Sequence, residues 1–97
     1  MSEGEEAMAG AAVEYQPTPN PNAGKFVTDR SVVPDGGSRS YFDPEEARED
    51  PVARALMGLS GVQSIFMVDD FITVTKAAAA DWDDLIPEVS RVIRDTL

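Results

Sequence analysis

Three groups of residues in this 97-residue chain have types and spacings that invite a chemical reading. Asp81, Asp83 and Asp84 match the opening of a calcium loop, which needs a glycine at its sixth position for the sharp turn and an acid at its twelfth to close the oxygen shell. Those positions are Ile86 and Val92, so helix capping is the better account of the three acids. Asp43, Glu45, Glu46, Glu49 and Asp50 offer oxygens for a divalent ion, yet acids also belong at helix starts, where they complement the positive dipole end. Thr73-Val-Thr-Lys76 has the spacing of a hydroxyl nucleophile with a lysine base. On a strand, however, residues three apart point to opposite faces, so Lys76 cannot activate Thr73. Cysteine and histidine are both absent, which removes Cys/His zinc sites, disulfides, thiol redox chemistry and every Ser-His or Cys-His arrangement. Acid–base catalysis by carboxylates needs a desolvated pocket, and a small two-layer domain rarely encloses one. The chain therefore reads as a non-enzyme with no catalytic residue, no metal ligand and no cofactor.

The candidates that remain are binding residues. Asn20 and Asn22, set between prolines, form either a rigid recognition patch or a loop whose side chains bond their own backbone, the commoner use of Asn in turns. Lys25 and Arg54, with that Asn-Pro loop, are the groups that would hold an anion if this were a small ligand-binding or enzymatic domain. Phe66, Phe71 and Thr73 are candidates for a protein-docking patch, because aromatics beside hydroxyls suit a moderate protein interface.

Positioning those side chains requires a hairpin. Two β-branched and aromatic runs flank Asp69-Asp70, and Asp tolerates the left-handed backbone of a tight two-residue turn. Val68 then pairs with Phe71, Met67 with Ile72 and Ile65 with Val74, while Phe66 pairs with Thr73 and Ser64 with Thr75. Met67, Ile72, Ile65 and Val74 form an aliphatic face that must be buried; the face with Phe66 and Phe71 is mixed and stays partly wet. Upstream, Lys25 to Asp29 suits a first strand, preceded by a short extended piece at Val13 to Gln16. Arg39 to Phe42 suits a second strand after the Asp35-Gly36-Gly37 turn. Asp43-Pro44 and then Asp50-Pro51 are helix-start signals. The main helix carries Val52, Ala55, Leu56 and Leu59 inward and Arg54 outward before Gly61 stops it. Asp81 caps a last helix whose stripe is Trp82, Leu85, Ile86, Val89, Val92, Ile93 and Leu97, with a kink expected at Pro87. The order strand, strand, helix, strand, strand, helix predicts a two-layer α+β domain, an antiparallel sheet covered by helices on one face.

Several short motifs are similar, in order and spacing, to one known family. Thr18-Pro-Asn-Pro-Asn22 with Lys25-Phe26, Pro51-Val-Ala-Arg54 with Leu56, Gly61-Val62 with Ser64, Phe66 and Asp70-Phe-Ile-Thr-Val-Thr-Lys76, Asp81-Trp82, and Leu85 with Pro87 resemble the amino-terminal domain of the Nfu/NifU-like iron–sulfur scaffold proteins. The likeness runs from about Tyr15 to Leu97. Gly24 departs from the pattern, standing where a larger apolar residue is expected. Full-length members of that family hold a cluster on a Cys-x-x-Cys of a second domain, and these residues contain no such motif. Clusters are held by thiolates, with occasional histidine, so the resemblance implies an accessory or adaptor in cluster assembly that works by docking. Its implied partners are a cysteine-bearing scaffold or carrier, or an apo-protein awaiting a cluster.

Composition bounds the rest. Residues Met1 to Glu14 are acidic and Ala/Gly-rich without apolar periodicity and are expected to be a disordered tail, leaving residues 15–97 as one domain. No apolar run approaches the roughly 18 residues that cross a bilayer, and the N-terminus lacks a signal peptide's basic start. A net charge of −10, from 18 acids against 8 bases, repels phosphate backbones and anionic membranes, so neither nucleic acid nor membrane is an expected partner. A cytoplasmic monomer is the expectation.

Overall fold

The turn at Asp69-Asp70 organises the molecule. In the computed structural model, which describes residues 12–97, Asp69 takes φ 53, and the chain reverses between β4 (Val62–Val68) and β5 (Phe71–Lys76). The pairs are Val68 with Phe71, Met67 with Ile72, Phe66 with Thr73, Ile65 with Val74 and Ser64 with Thr75, as alternation predicts. A register irregularity between Val62 and Ser64 follows Gly61, whose φ of +95 favours glycine at the strand entry.

The other strands add on both sides. β1 (Val13–Pro17) and β2 (Ala23–Thr28) form a second hairpin, β3 (Ser38–Tyr41) pairs with β4, and the sheet runs β1-β2-β5-β4-β3, antiparallel throughout. Val13 and Glu14, expected in the tail, belong to β1, so the short extended piece is a full edge strand; the expectation for residues 1–11 lies outside the described residues. The two flanking strands begin earlier than anticipated, at Ala23 and Ser38, and Asp29 and Phe42 lie beyond their ends.

Asp43-Pro44 starts only a 3₁₀ turn (Glu46–Glu49), not an α-helix. Its cap does form, with the Glu46 N–H donating to Asp43 Oδ1 at 2.9 Å and the Phe42 N–H donating to Glu46 Oε1 at 2.9 Å. Pro51 ends it, because a proline pushes the preceding residue out of helical geometry, and Asp50 is extended at φ −107, ψ 114. α1 (Pro51–Met57) then begins afresh, capped by Asp50 Oδ1, which accepts from the N–H groups of Val52 at 3.0 Å and Ala53 at 3.2 Å. It ends at Gly58, earlier than Gly61. α2 (Trp82–Thr96) is capped by Asp81 Oδ1, which accepts from the Asp83 N–H at 2.9 Å, and it runs unbroken through Pro87.

Both helices lie on the aliphatic face. Phe26, Ile65, Met67, Ile72 and Val74 from the sheet meet Leu56, Leu85, Val89 and Ile93, all buried. Burying each such side chain contributes about 1.5–3 kcal/mol. Val32 and Val33, in the long β2–β3 connection, are also core residues that no periodicity announced. The Val32 N–H donates to the Asp69 carbonyl at 2.7 Å and the Thr28 N–H to the Asp70 carbonyl at 2.7 Å, so the connection grips the β4–β5 turn.

Gly24 is the departure that packing explains. A Cβ there would meet Tyr15 Cε1 at 2.6 Å and Trp82 Cη2 at 3.0 Å. Two rings therefore occupy the volume a larger side chain would fill, and Phe26 completes the cluster, its ring centroid 5.2 Å from that of Tyr15. The entry to β2 is firmly packed.

Candidate docking face

The sheet face away from the helices is the candidate site, and strand register assembles it. One row across the strands reads Gln16, Lys25, Thr73, Phe66 and Ser40; the next reads Glu14, Val27, Phe71, Val68 and Ser38. Among these ten residues of a strongly acidic chain, only Glu14 and Lys25 are charged. Phe66 is 39% exposed, and Phe71 is half-buried with the Lys25 ammonium 4.3 Å from its ring centroid, a cation–π contact. Lys25, singled out from the sequence as a group that could hold an anion, thus shares one surface with Phe66, Phe71 and Thr73, singled out as a docking patch. Its neutral apolar and hydroxyl character suits contact with another protein surface.

The remaining candidates lie elsewhere. Asn20 Oδ1 accepts from the Asn22 N–H at 2.9 Å, and Asn22 Oδ1 accepts from Lys76 Nζ at 3.2 Å. Thr18 Oγ1 donates within the same loop, and Trp82 Nε1 donates to the Pro21 carbonyl at 2.9 Å. The Asn-Pro loop is therefore tied to its own backbone, to β5 and to α2. Arg54 is exposed on α1, across the sheet from Lys25, so the two cations lie on opposite sides of the sheet.

Charged groups stabilise junctions. Asp50, buried, accepts from Arg39 Nη1 on Oδ2 at 2.9 Å while Oδ1 caps α1, and Arg39 Nη2 reaches Asp35 at 3.0 Å. The Asp50 hydrogen bond, with the nearby Asp35 charge, raises the pKa of Arg39 and links β3 to the start of α1. The Arg30 side chain, 3.1 Å away, holds the Asp29 carboxyl below its ordinary value. Among the described residues, no three or more acids gather closely enough to hold a metal ion, and no helix is long and apolar enough to cross a membrane. Sequence reasoning assigned Phe42 to a strand; it is 70% exposed just past β3. Its position ahead of Asp43-Pro44 was the available signal, since the cap turns the chain away from the sheet there.

Comparison with known proteins adds relatives. The profile of the family described as "Scaffold protein Nfu/NifU N terminal" matches residues 13–97. A Drosophila willistoni protein named "NFU1 iron-sulfur cluster scaffold homolog, mitochondrial" is 37% identical over 83 residues, covering 86% of this chain and 29% of the relative. A NifU-like protein of Schizosaccharomyces pombe is 36% identical over 93 residues, covering 95% of this chain and 36% of that protein. The chain thus spans about a third of the length of these curated relatives. Among solved structures, Staphylococcus aureus protein SAV1430 aligns with a TM-score of 0.73 at 30% identity, over 82% of this chain and 95% of that one. A NifU-like protein from Saccharomyces cerevisiae shares the fold, with a TM-score of 0.70 at 22% identity over 89% of this chain and 77% of that one.

Proposed function

Because this chain belongs to the Nfu/NifU N-terminal family, we propose that it serves iron–sulfur cluster assembly as a non-catalytic docking module, leaving the cluster to a cysteine-bearing partner. The observation that carries this reading is the helix-free sheet face, near-neutral in a chain of net charge −10, with Phe66 exposed at its centre. Iron in a cluster needs thiolate or imidazole, and the 97 residues contain neither. The partner is a cysteine-bearing scaffold or carrier, or an apo-protein client. The chain acts as a monomer in the cytoplasm, although the Drosophila relatives are named mitochondrial.

Two measurements test the proposal. Anaerobic incubation with iron and sulfide leaves the purified chain colourless; stoichiometric cluster absorption overturns the division of labour. Titration of the isotope-labelled chain with a purified cysteine-bearing Nfu-type scaffold produces saturable amide shifts at Lys25, Phe66, Phe71 and Thr73. Replacing Phe66 and Thr73 with aspartate then weakens binding about tenfold or more, since each charge must be desolvated on docking, with the thermal midpoint little changed. Undiminished binding moves the interface off this face.

A further inference from the structure

β3 ends the sheet, hydrogen-bonded to β4 on one side only. An edge strand exposes alternate N–H and C=O groups, and proteins commonly protect it with proline, lysine or a covering element. The opposite edge has such protection, since β1 ends in Pro17 and packs against α2. β3, Ser38-Arg39-Ser40-Tyr41, has neither proline nor lysine. Arg39 is turned to the helix side, where Asp50 and Asp35 hold it.

Two further observations fall at the same edge. The exposed large hydrophobic residues of the described chain are Phe42, 70% exposed just past β3, and Phe66, 39% exposed on β4 opposite Ser40. The segment that follows, Asp43 to Asp50, carries five acids and one base, Arg48. Unpaired backbone, flanking aromatics and an acidic border together describe a receptor for an extended chain: ladder hydrogen bonds supply affinity, and side-chain pockets and charge supply choice.

We propose that the β3 edge accepts an extended segment of a partner protein by strand addition, a segment in which lysine or arginine alternates with apolar side chains. The apolar residues pack on Phe42 and Phe66, and the cations face Asp43, Glu45 and Glu46. This rests on the docking reading only in having the chain act through another protein; the surface is the sheet's edge and not its open face.

The test uses the full chain, isotope-labelled, and a ten-residue peptide alternating lysine with valine and phenylalanine. Saturable amide shifts are expected at residues 38–42 and 64–66. The same peptide N-methylated at alternate residues keeps its charge and side chains but cannot complete a ladder, and it binds at least about tenfold more weakly, because two or three net hydrogen bonds of about 1 kcal/mol are lost. A peptide with glutamate in place of lysine gives no saturable shift. Phe42→Ala weakens binding several-fold with an unchanged circular dichroism spectrum, its side chain being too exposed to support the fold. Equal binding of the N-methylated peptide, or shifts centred on Val27 and Phe71, overturns the proposal. So does protection from solvent exchange of the outward-facing β3 amides, those not bonded to β4, in the peptide-free chain at low concentration, which would mean that residues 1–11 or a second copy already hold the edge. If the scaffold titration shifts Lys25, Phe71 and Thr73 while the peptide leaves β3 unmoved, this inference fails and the docking reading stands.

Discussion

Replacing Gly24 with alanine sets two effects of known sign against each other. Alanine is favoured over glycine within a strand by about 0.5–1 kcal/mol, because glycine loses more backbone freedom on folding. By that measure Gly24→Ala stabilises the protein. The new Cβ, however, lies 2.6 Å from Tyr15 Cε1 and 3.0 and 3.2 Å from two ring carbons of Trp82. Carbon atoms pack at about 3.5–4.0 Å, so the Tyr15 ring must retreat by about 1 Å. It has little room to do so, since Phe26 and Trp82 stand at centroid distances of 5.2 and 5.6 Å. Overpacking of this kind costs about 1–3 kcal/mol, so packing wins and the net change is a loss of about 1–2 kcal/mol. At about 4–8 °C per kcal/mol for a domain of this size, the thermal midpoint falls by roughly 5–15 °C. Trp82 is the sole tryptophan, so its fluorescence follows urea unfolding and reports any change in its own surroundings. In a Tyr15→Ser background, which removes the 2.6 Å contact and leaves the Trp82 ring carbons at 3.0 and 3.2 Å to yield by a few tenths of an ångström, Gly24→Ala costs less than it does in the parent. A Gly24→Ala protein more stable than the parent, with unaltered Trp82 emission, refutes the packing argument.

Asp50→Ala removes both the α1 cap, about 0.5–2 kcal/mol for such caps, and the acceptor for Arg39, so it costs more than the cap alone, whereas Asp50→Asn keeps an acceptor for the Val52 and Ala53 N–H groups without the charge that faces Arg39 and recovers part of the loss; urea midpoints of the two variants decide. The Asp29 carboxyl is held below its ordinary value of 3.8 by the Arg30 side chain. A depressed carboxylate adds stability above its unfolded value that disappears as pH falls through its folded one. Between pH 5 and pH 2 the parent accordingly loses more stability than Asp29→Asn, and parallel denaturation curves would contradict this.

Legibility in the sequence follows from how local each cause is. The β4–β5 register is readable because strict alternation around Asp69-Asp70 permits only one pairing that buries Ile65, Met67, Ile72 and Val74 together. α1 and α2 are readable because Asp50 and Asp81 are caps followed by apolar residues at helical spacing. That Lys25, Phe66, Phe71 and Thr73 share a surface follows once β2 is placed beside β5, but nothing local to β2 dictates that neighbour. β1 is five residues long, overlaps the acidic stretch and ends in proline, so it reads as no more than a short extended piece until β2 lies beside it. Val32 and Val33 sit in a connection without periodicity, and their burial depends on bonds to a turn nearly forty residues away. The bond from Lys76 to Asn22 spans 54 residues and ties that asparagine to β5 by a contact no spacing rule contains.

The sheet order has a consequence for synthesis on the ribosome. The innermost strand, β5, is the last of the five to be made, and β2 is joined to it across more than forty residues of sequence. Pairings so distant along the chain are slow to form, because loop closure must precede any gain. Until Phe71 to Lys76 leave the exit tunnel, the first hairpin has no central strand to adjoin, and Phe26 and Tyr15 have no Trp82 to pack beneath. The nascent amino-terminal half therefore spends part of translation with an uncovered apolar flank, the circumstance in which a chaperone is most useful to so small a protein.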